Sequence, residues 1–417
     1  MNFKLYSFLI FSSAVLSNTA MATEVTFDNL KTLIKKQNLN VEANSLDIKA
    51  AEAHEGRLLR SFIPQIEVFS AQESFKEGSK ADQSQPTYGA EAKINFFNGG
   101  RNLYEGRIQE TQTNIKRFKY QISFTEELRT AREVFWKYIY AQESIGLINE
   151  MIEVNNKNLK SAQQRIIAGV ATQSDRYEFE LKAIELKQLH KETVLSSENL
   201  KRQIKLLLNF SSTDDFKIVG SLNHDHDYEI ALKHKPSDHD FLYKEYELGS
   251  EVEKLKSDVS KSEFWPKLDL YASYKQRNQL EIDMPNASDR IERVAGIKLT
   301  INLNEGYENY RQAKASLFEA ESLVKRAQFQ KREVELHVES EISELDLLHS
   351  QVHDSDLSVK IADKYFKATL SEYARGVKNS PDVLGASDKL FETKNKRLEI
   401  IRDFQLSKSH ILSKIGQ

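Results

Sequence analysis

Cysteine is absent from all 417 residues. No disulfide framework, thiolate zinc site, thiol nucleophile or lipidated amino-terminal cysteine is therefore available to this chain. Proline and glycine are sparse, at 6 and 15 residues, while 29% of the chain is charged. So few chain breakers among so many charged side chains favour long helices. Neither sign of charge prevails: 59 Lys and Arg are interleaved with 62 Asp and Glu, for a formal net charge of -3, which argues against a nucleic-acid partner. Long apolar runs are missing too. After the first two dozen residues no stretch approaches the roughly 18 apolar residues of a transmembrane helix, so later membrane contact is peripheral or made by barrel strands. There is no Gly-x-Ser-x-Gly elbow, phosphate-binding glycine loop or His-Glu-x-x-His pair, so neither an enzyme nor a cofactor is expected.

The chain opens on a secretory signal. Lys4 precedes an apolar run from Leu5 to Leu16, and the small-x-small sequence Ala20-Met21-Ala22 follows, which places a signal peptide at 1–22 and the mature start near Thr23.

Beyond the signal the sequence repeats itself. Phe62-Ile63-Pro64-Gln65-Ile66-Glu67-Val68 is echoed by Phe264-Trp265-Pro266-Lys267-Leu268-Asp269-Leu270. Ile94-Asn95-Phe96-Phe97-Asn98-Gly99-Gly100 is echoed by Ile301-Asn302-Leu303-Asn304-Glu305-Gly306, and Ala168-Gly169-Val170 before Asp175 by Arg375-Gly376-Val377 before Asp382. The three matches keep their order, which makes a two-fold internal repeat.

Each half carries two alternating runs that read as strands. Tyr88, Ala90, Ala92, Ile94 and Phe96 fall on one face, against Gly89, Glu91, Lys93 and Asn95 on the other; Ala295, Ile297, Leu299, Ile301 and Leu303 alternate with Val294, Gly296, Lys298, Thr300 and Asn302 in the same way. Apolar residues thus share one face and charge the other. Long proline-free helices follow, near 102–167 and 307–374, with apolar positions Leu128, Ala131, Phe135, Tyr138, Ile145, Ile148 and Ile152, and Val338, Ile342, Leu345, Leu348 and Val352, recurring at three and four. That narrow stripe is a coiled-coil seam. The resulting plan has amino-terminal helices at 23–61, a β-hairpin at 62–97, a long helical hairpin at 98–209 and a connecting layer at 210–240. A helix at 241–263, a second β-hairpin at 264–303 and a second helical hairpin at 304–417 complete it. Four amphipathic strands cannot close a barrel alone, so oligomerisation is expected.

The connecting layer holds His224, Asp225, His226, Asp227, His234 and His239. Such residues can bind zinc or nickel, but the spacing fits no closed structural site and a solvated loop accounts for the composition, so no metal is expected.

In these segments the chain resembles the TolC-type outer-membrane efflux proteins. The resemblance is carried by Leu58 to Gln65, by Tyr88 to Arg101 with Asn95-Phe96-Phe97-Asn98-Gly99-Gly100-Arg101, and by Arg165 to Asp175; it extends over essentially all of the mature chain. It implies an α+β membrane protein, a homotrimer in which each protomer gives four β-strands to a shared twelve-stranded barrel and its antiparallel helical hairpins to a periplasmic coiled-coil tunnel. It also implies the outer membrane of a Gram-negative bacterium, contact with outer-membrane lipid, and docking on a periplasmic adaptor (membrane fusion) protein. An inner-membrane pump or ABC transporter would act through that adaptor, and the channel would serve tripartite efflux or type I secretion as a passive conduit.

By the same resemblance, Gly169, Val170, Ala171 and Thr172, with Gly376, Val377, Lys378 and Asn379, are hairpin tips that meet the adaptor. Asp175, Tyr373 and Lys378 match polar links that close the entrance, and Asp382 an acidic ring. Read from the residues alone, these positions are helix ends: glycine C-caps, capping-box spacing from Thr172 to Asp175, and Ser380-Pro381-Asp382 as cap, first-turn proline and first-turn acid. The competing class is a non-transporting coiled-coil structural or adhesive protein of the envelope. Such a stalk needs long helices but has no use for two matched amphipathic strand pairs.

Overall fold

A computed structural model describes residues 23–75, 83–211, 216–224, 241–277, 290–302 and 306–414. The signal segment, the loops joining each strand pair, and His226, His234 and His239 with their Asp neighbours lie outside the described residues.

Strand β1 (Thr23–Val25) leads into helices α1 (Phe27–Gln37), α2 (Leu39–His54) and α3 (Arg57–Arg60), so the segment expected to be helical from residue 23 begins extended. Strands β2 (Gln65–Phe75) and β3 (Gln83–Asn98) come next, followed by α4 (Arg101–Ile167), α5 (Gln173–Leu207) and β4 (Phe216–Ile218). Helix α6 (Phe241–Ser262) precedes β5 (Lys267–Arg277), β6 (Arg290–Thr300), α7 (Gly306–Ala374) and α8 (Ser380–Lys414). Pro64 and Pro266 each stand immediately before a strand, where the preceding residue is pushed out of the helical region. With 67 and 69 residues, α4 and α7 each run about 100 Å at 1.5 Å per residue.

The main sheet has the order β2-β3-β5-β6, antiparallel throughout. Register pairs Val68 with Ala90, Ala90 with Tyr274, Ile94 with Leu270, and Leu270 with Ile297, which gathers the apolar residues on one face. That face lies open, with Val68 80% and Ile297 69% exposed. Glu67, Glu91, Lys93, Asp269, Lys275 and Lys298 share the other, where Lys93 pairs with Asp269 at 3.2 Å and Lys275 with Glu91 at 3.0 Å. Alternation placed Phe96 in the apolar set opposite the next strand. A bulge between Asn95 and Phe97 instead sets Phe97 against Leu268, since one extra residue shifts everything beyond it by one place. The outer edges of β2 and β6 have no neighbouring strand among the described residues.

Below the sheet, an ion-pair chain fixes it to the helices: Arg57 and Arg101 both reach Glu105, at 2.6 and 2.8 Å, Arg101 also binds Glu263, and Lys267 binds Glu263 at 2.5 Å. Halfway down the hairpins, β1 pairs in parallel with β4. There Val25, Phe216, Ile218 and Leu222 pack with Leu128, Phe135, Ile204, Leu345 and Phe404 in the larger core. The seam residues Leu128, Ala131, Phe135, Ile148, Val338, Leu345, Leu348 and Val352 are buried, and Tyr138, Ile145, Ile152 and Ile342 half-buried.

A polar ladder joins α4 to α8 beside this core. Trp136 donates its indole N–H to Ser409 Oγ at 3.0 Å, and Arg132 donates to Ser413 Oγ at 3.0 Å. Both helices present these partners one turn apart, which fixes their register. The Arg132 guanidinium lies 5.1 Å from the Phe27 ring centroid, and burial pushes its pKa down to about 10.

Burying this charge costs stability while it stays protonated in the folded and unfolded states alike. Arg132→Met should therefore raise the thermal midpoint at pH 7. A lower midpoint for the variant at pH 7 would refute this.

Candidate functional site at the hairpin tips

At the end remote from the sheet, both helical hairpins turn through the same local chemistry. Val170 N–H donates to Arg165 O at 2.9 Å and Gly169 N–H to Ile166 O at 3.0 Å; in the second hairpin Val377 N–H donates to Glu372 O at 3.0 Å and Gly376 N–H to Tyr373 O at 2.9 Å. This paired pattern ends a helix on a left-handed residue, and φ is +72° at Gly169 and +82° at Gly376, a conformation that a side chain disfavours.

The returning helices are capped with equal care. Thr172 Oγ1 accepts from Asp175 N–H at 3.4 Å, and the Asp175 carboxylate accepts from Thr172 N–H at 2.8 Å. Asn379 and Asp382 exchange the same two bonds at 3.1 Å each. The cap of α8 is accordingly Asn379, not Ser380 as the Ser-Pro-Asp pattern suggested. Its amide oxygen reaches the N–H three residues on, whereas Ser380 is buried between the hairpins.

Two contacts tie one hairpin to the other. Arg165, on the last turn of α4, donates to the Tyr373 carbonyl of α7 and lays its guanidinium 4.2 Å from the Tyr373 ring centroid. Tyr373 is buried, and its hydroxyl lies 3.5 Å from Ser380 Oγ. Asp175, on the first turn of α5, accepts hydrogen bonds from Ser380 of α8. Partial burial works against the charged Asp175 carboxylate, but hydrogen bonds from Thr172 and Ser380 outweigh it and hold its pKa below the ordinary 3.8. Burial, helped by the Asp175 charge, pushes Glu178 the other way. Farther from the tips, Lys182 of α5 meets Asp388 of α8 at 2.9 Å. Beneath these links Phe179, Phe366, Val383, Ala386 and Leu390 form a second core.

Of the residues expected to close the entrance, Asp175 and Tyr373 meet in one cluster. Lys378 and Asp382 pair with each other at 3.6 Å within their own turn. Sequence reading gave Arg165 no role at the entrance and read Ser380 only as a helix cap. Arg165 reads locally as a helix-ending cation, and only packing shows that its partner is Tyr373. The tips themselves, expected at Gly169 to Thr172 and Gly376 to Asn379, end in exposed apolar side chains, with Val170 64% and Val377 70% exposed. The His-rich segment contributes one described member: His224, whose ring Nε2 lies 2.9 Å from Nδ1 of His349.

Solved structures share this arrangement. The chain resembles CusC with a TM-score of 0.78 at 12% identity, over 93% of this chain and 91% of that one. It resembles VceC from Vibrio cholerae with 0.77 at 10%, over 94% and 96%, and the Campylobacter jejuni channel CmeC with 0.77 at 12%, over 94% and 85%. The fold is that of the TolC-like outer-membrane channels. No protein-family model and no curated protein matches the chain, so the likeness lies in the backbone arrangement, with so few shared residues that side-chain roles rest on the contacts above.

Arg165→Ala should speed amide hydrogen exchange across 373–380 while leaving the equatorial core around Phe404 protected. Equal exchange at the tips in variant and wild type would show that the link carries no stability. Because the folded Asp175 value is lowered, its contribution is full above the unfolded value and lost as pH falls through the folded one. Tip protection should accordingly hold from neutrality to about pH 4 and fall below it, a dependence absent from Asp175→Asn.

Proposed function

We propose that this chain is one protomer of a homotrimeric outer-membrane channel of a Gram-negative bacterium, a passive conduit that catalyses nothing. One observation carries the reading: a four-stranded sheet with an exposed apolar face and two open edges, set at the end of hairpins about 100 Å long. Strands of 11 residues, such as β2, β5 and β6, have the length that a tilted strand needs to cross a bilayer. No described helix is long and apolar enough to do so.

Open edges cannot persist in hydrocarbon, so β6 of one protomer must pair with β2 of the next. The helices make the same demand independently. Tyr177, Leu181, Ile184, Leu195 and Leu206 form an exposed apolar stripe along α5, and Phe318, Phe329, Leu336, Leu347 and Ile361 another along α7. Two different surfaces that meet give a head-to-tail contact, which forms a ring where the rotation closes. Three protomers would supply the twelve strands of one barrel, with its charged faces around a water-filled bore. The helical hairpins would continue that bore through the periplasm as a coiled-coil tunnel.

The tips, with exposed Ile167, Val170 and Val377, offer an apolar docking surface for a periplasmic adaptor. Through the adaptor an inner-membrane pump or ABC transporter would supply energy, in tripartite efflux or type I secretion. The links of Arg165 to Tyr373 and of Asp175 to Ser380 would hold the hairpins together and the entrance narrow. Lys378 and Asp382, which pair on an exposed turn, would add charge at its rim.

Protein extracted from outer membranes should run as a trimer and form small-conductance channels in planar bilayers, and Arg165→Ala should raise that conductance. A soluble monomer without conductance would favour the envelope stalk instead.

A further inference from the structure

On the charged face of the sheet two aromatic side chains lie over glycines rather than standing into the open. Phe69 of β2 is paired in register with Gly89 of β3, and Tyr271 of β5 with Gly296 of β6. Both contacts are close. A Cβ at Gly296 would fall 2.9 Å from Tyr271 Oη, 3.0 Å from Cζ and 3.1 Å from Cε1, with all three atoms on the one ring. At Gly89 a Cβ would fall 2.5 Å from Phe69 Cζ and also 2.8 Å from the Tyr274 carbonyl oxygen. The glycines therefore form slots in which the rings lie along the sheet, since any other residue would fill the space they occupy.

The slots occupy matching places in the two halves of the chain, on the first and second strands of each pair. They sit at two levels: the register row of Phe69, Gly89 and Lys275 is separated from that of Lys93, Tyr271 and Gly296 by the row of Glu67, Glu91 and Ser273. Apart from Val294, Ala71 and Phe75, the last residue of β2, the other described positions on this face of the strands are small, polar or charged. A bulky ring exposed there needs a reason other than core packing, because no second layer covers it: Tyr271 remains 38% exposed.

We infer that the Phe69 and Tyr271 slots set the bore of the strand-borne part of the conduit. This rests on the channel reading, which turns the charged face inward. In a closed barrel each inward side chain narrows the lumen by as much as it projects. A ring laid against a glycine keeps its volume at the wall and presents its flat face to what passes. The same ring displaced from its slot projects toward the axis, and three-fold symmetry repeats the obstruction three times. Bulk at this face is thus held in two states, flat or projecting, chosen by whether the position across the strand has a Cβ.

Gly296 gives the cleaner test, because the three atoms nearest a new methyl group there all belong to the Tyr271 side chain, whereas at Gly89 the Tyr274 backbone carbonyl is also among the nearest. The measurement is the size of the largest polyethylene glycol that reduces single-channel current when added from the side of the strand-pair loops, which samples this end independently of the tips. Gly296→Ala should lower that size, Tyr271→Ala should raise it, and the double variant should match Tyr271→Ala, because without the ring the methyl group displaces nothing. Unchanged exclusion in Gly296→Ala and Tyr271→Ala trimers of normal mass would overturn the inference while leaving the channel standing. If Gly296→Ala does not assemble, Tyr271→Ala and Phe69→Ala decide between the same two outcomes. Absence of conducting wild-type trimers would instead defeat the channel reading itself.

Discussion

The backbone edges of β2 and β6 dominate the design. A four-stranded sheet whose apolar face is open has an obvious solvent in lipid, yet lipid offers nothing to hydrogen-bond the N–H and C=O groups along an outer strand. Each such group left without a partner in hydrocarbon costs several kcal/mol, and an 11-residue strand carries several on its outer side. In the proposed channel, neighbouring copies would complete the sheet. With the strands arranged around an axis, the helices that continue from β3 and β6 would be arranged around it as well, and the apolar stripes of α5 and α7 would acquire partners.

Stability is distributed unevenly along the resulting body. At the equator, β1 and β4 pair, Phe135, Phe404 and Leu345 are fully enclosed, and the Trp136 to Ser409 and Arg132 to Ser413 bonds set the helix register. At the tips the hairpins meet through a smaller core and a few polar links, with Arg165, Asp175 and Ser380 the principal bridges. In the proposed channel such a gradient would suit an entrance that opens while the middle stays fixed, because local opening draws on the regions with the fewest buried contacts.

Features decided within a few residues of the chain were legible in the sequence. Pro64 and Pro266 marked strand starts, alternation marked the strands, and Gly169 and Gly376 marked the hairpin tips because a left-handed helix end needs glycine. Thr172 and Asp175 were readable as a capping box for the same reason. What escaped was non-local or depended on an unseen choice between similar local options. The three-residue strands β1 and β4 carry too little alternation to stand out, and become strands only by pairing across the chain. Phe96 and Phe97 are adjacent and alike, so nothing local reveals which one bulges. The cap of α8 was read at Ser380, but Ser380 packs against Tyr373 and Asp175, and Asn379 caps the helix instead. Arg165 illustrates the general limit: its type and position describe a helix end, while its contacts belong to another hairpin some two hundred residues away.

Hydrogen exchange of the detergent-extracted assembly, resolved for β2 and β6 against β3 and β5, tests the central claim most directly. If neighbouring protomers complete the sheet, the amides on the outer sides of β2 and β6 will be as protected as those of the two inner strands. Rapid exchange confined to those outer amides in an intact assembly would mean that the sheet stays open, and would contradict the account.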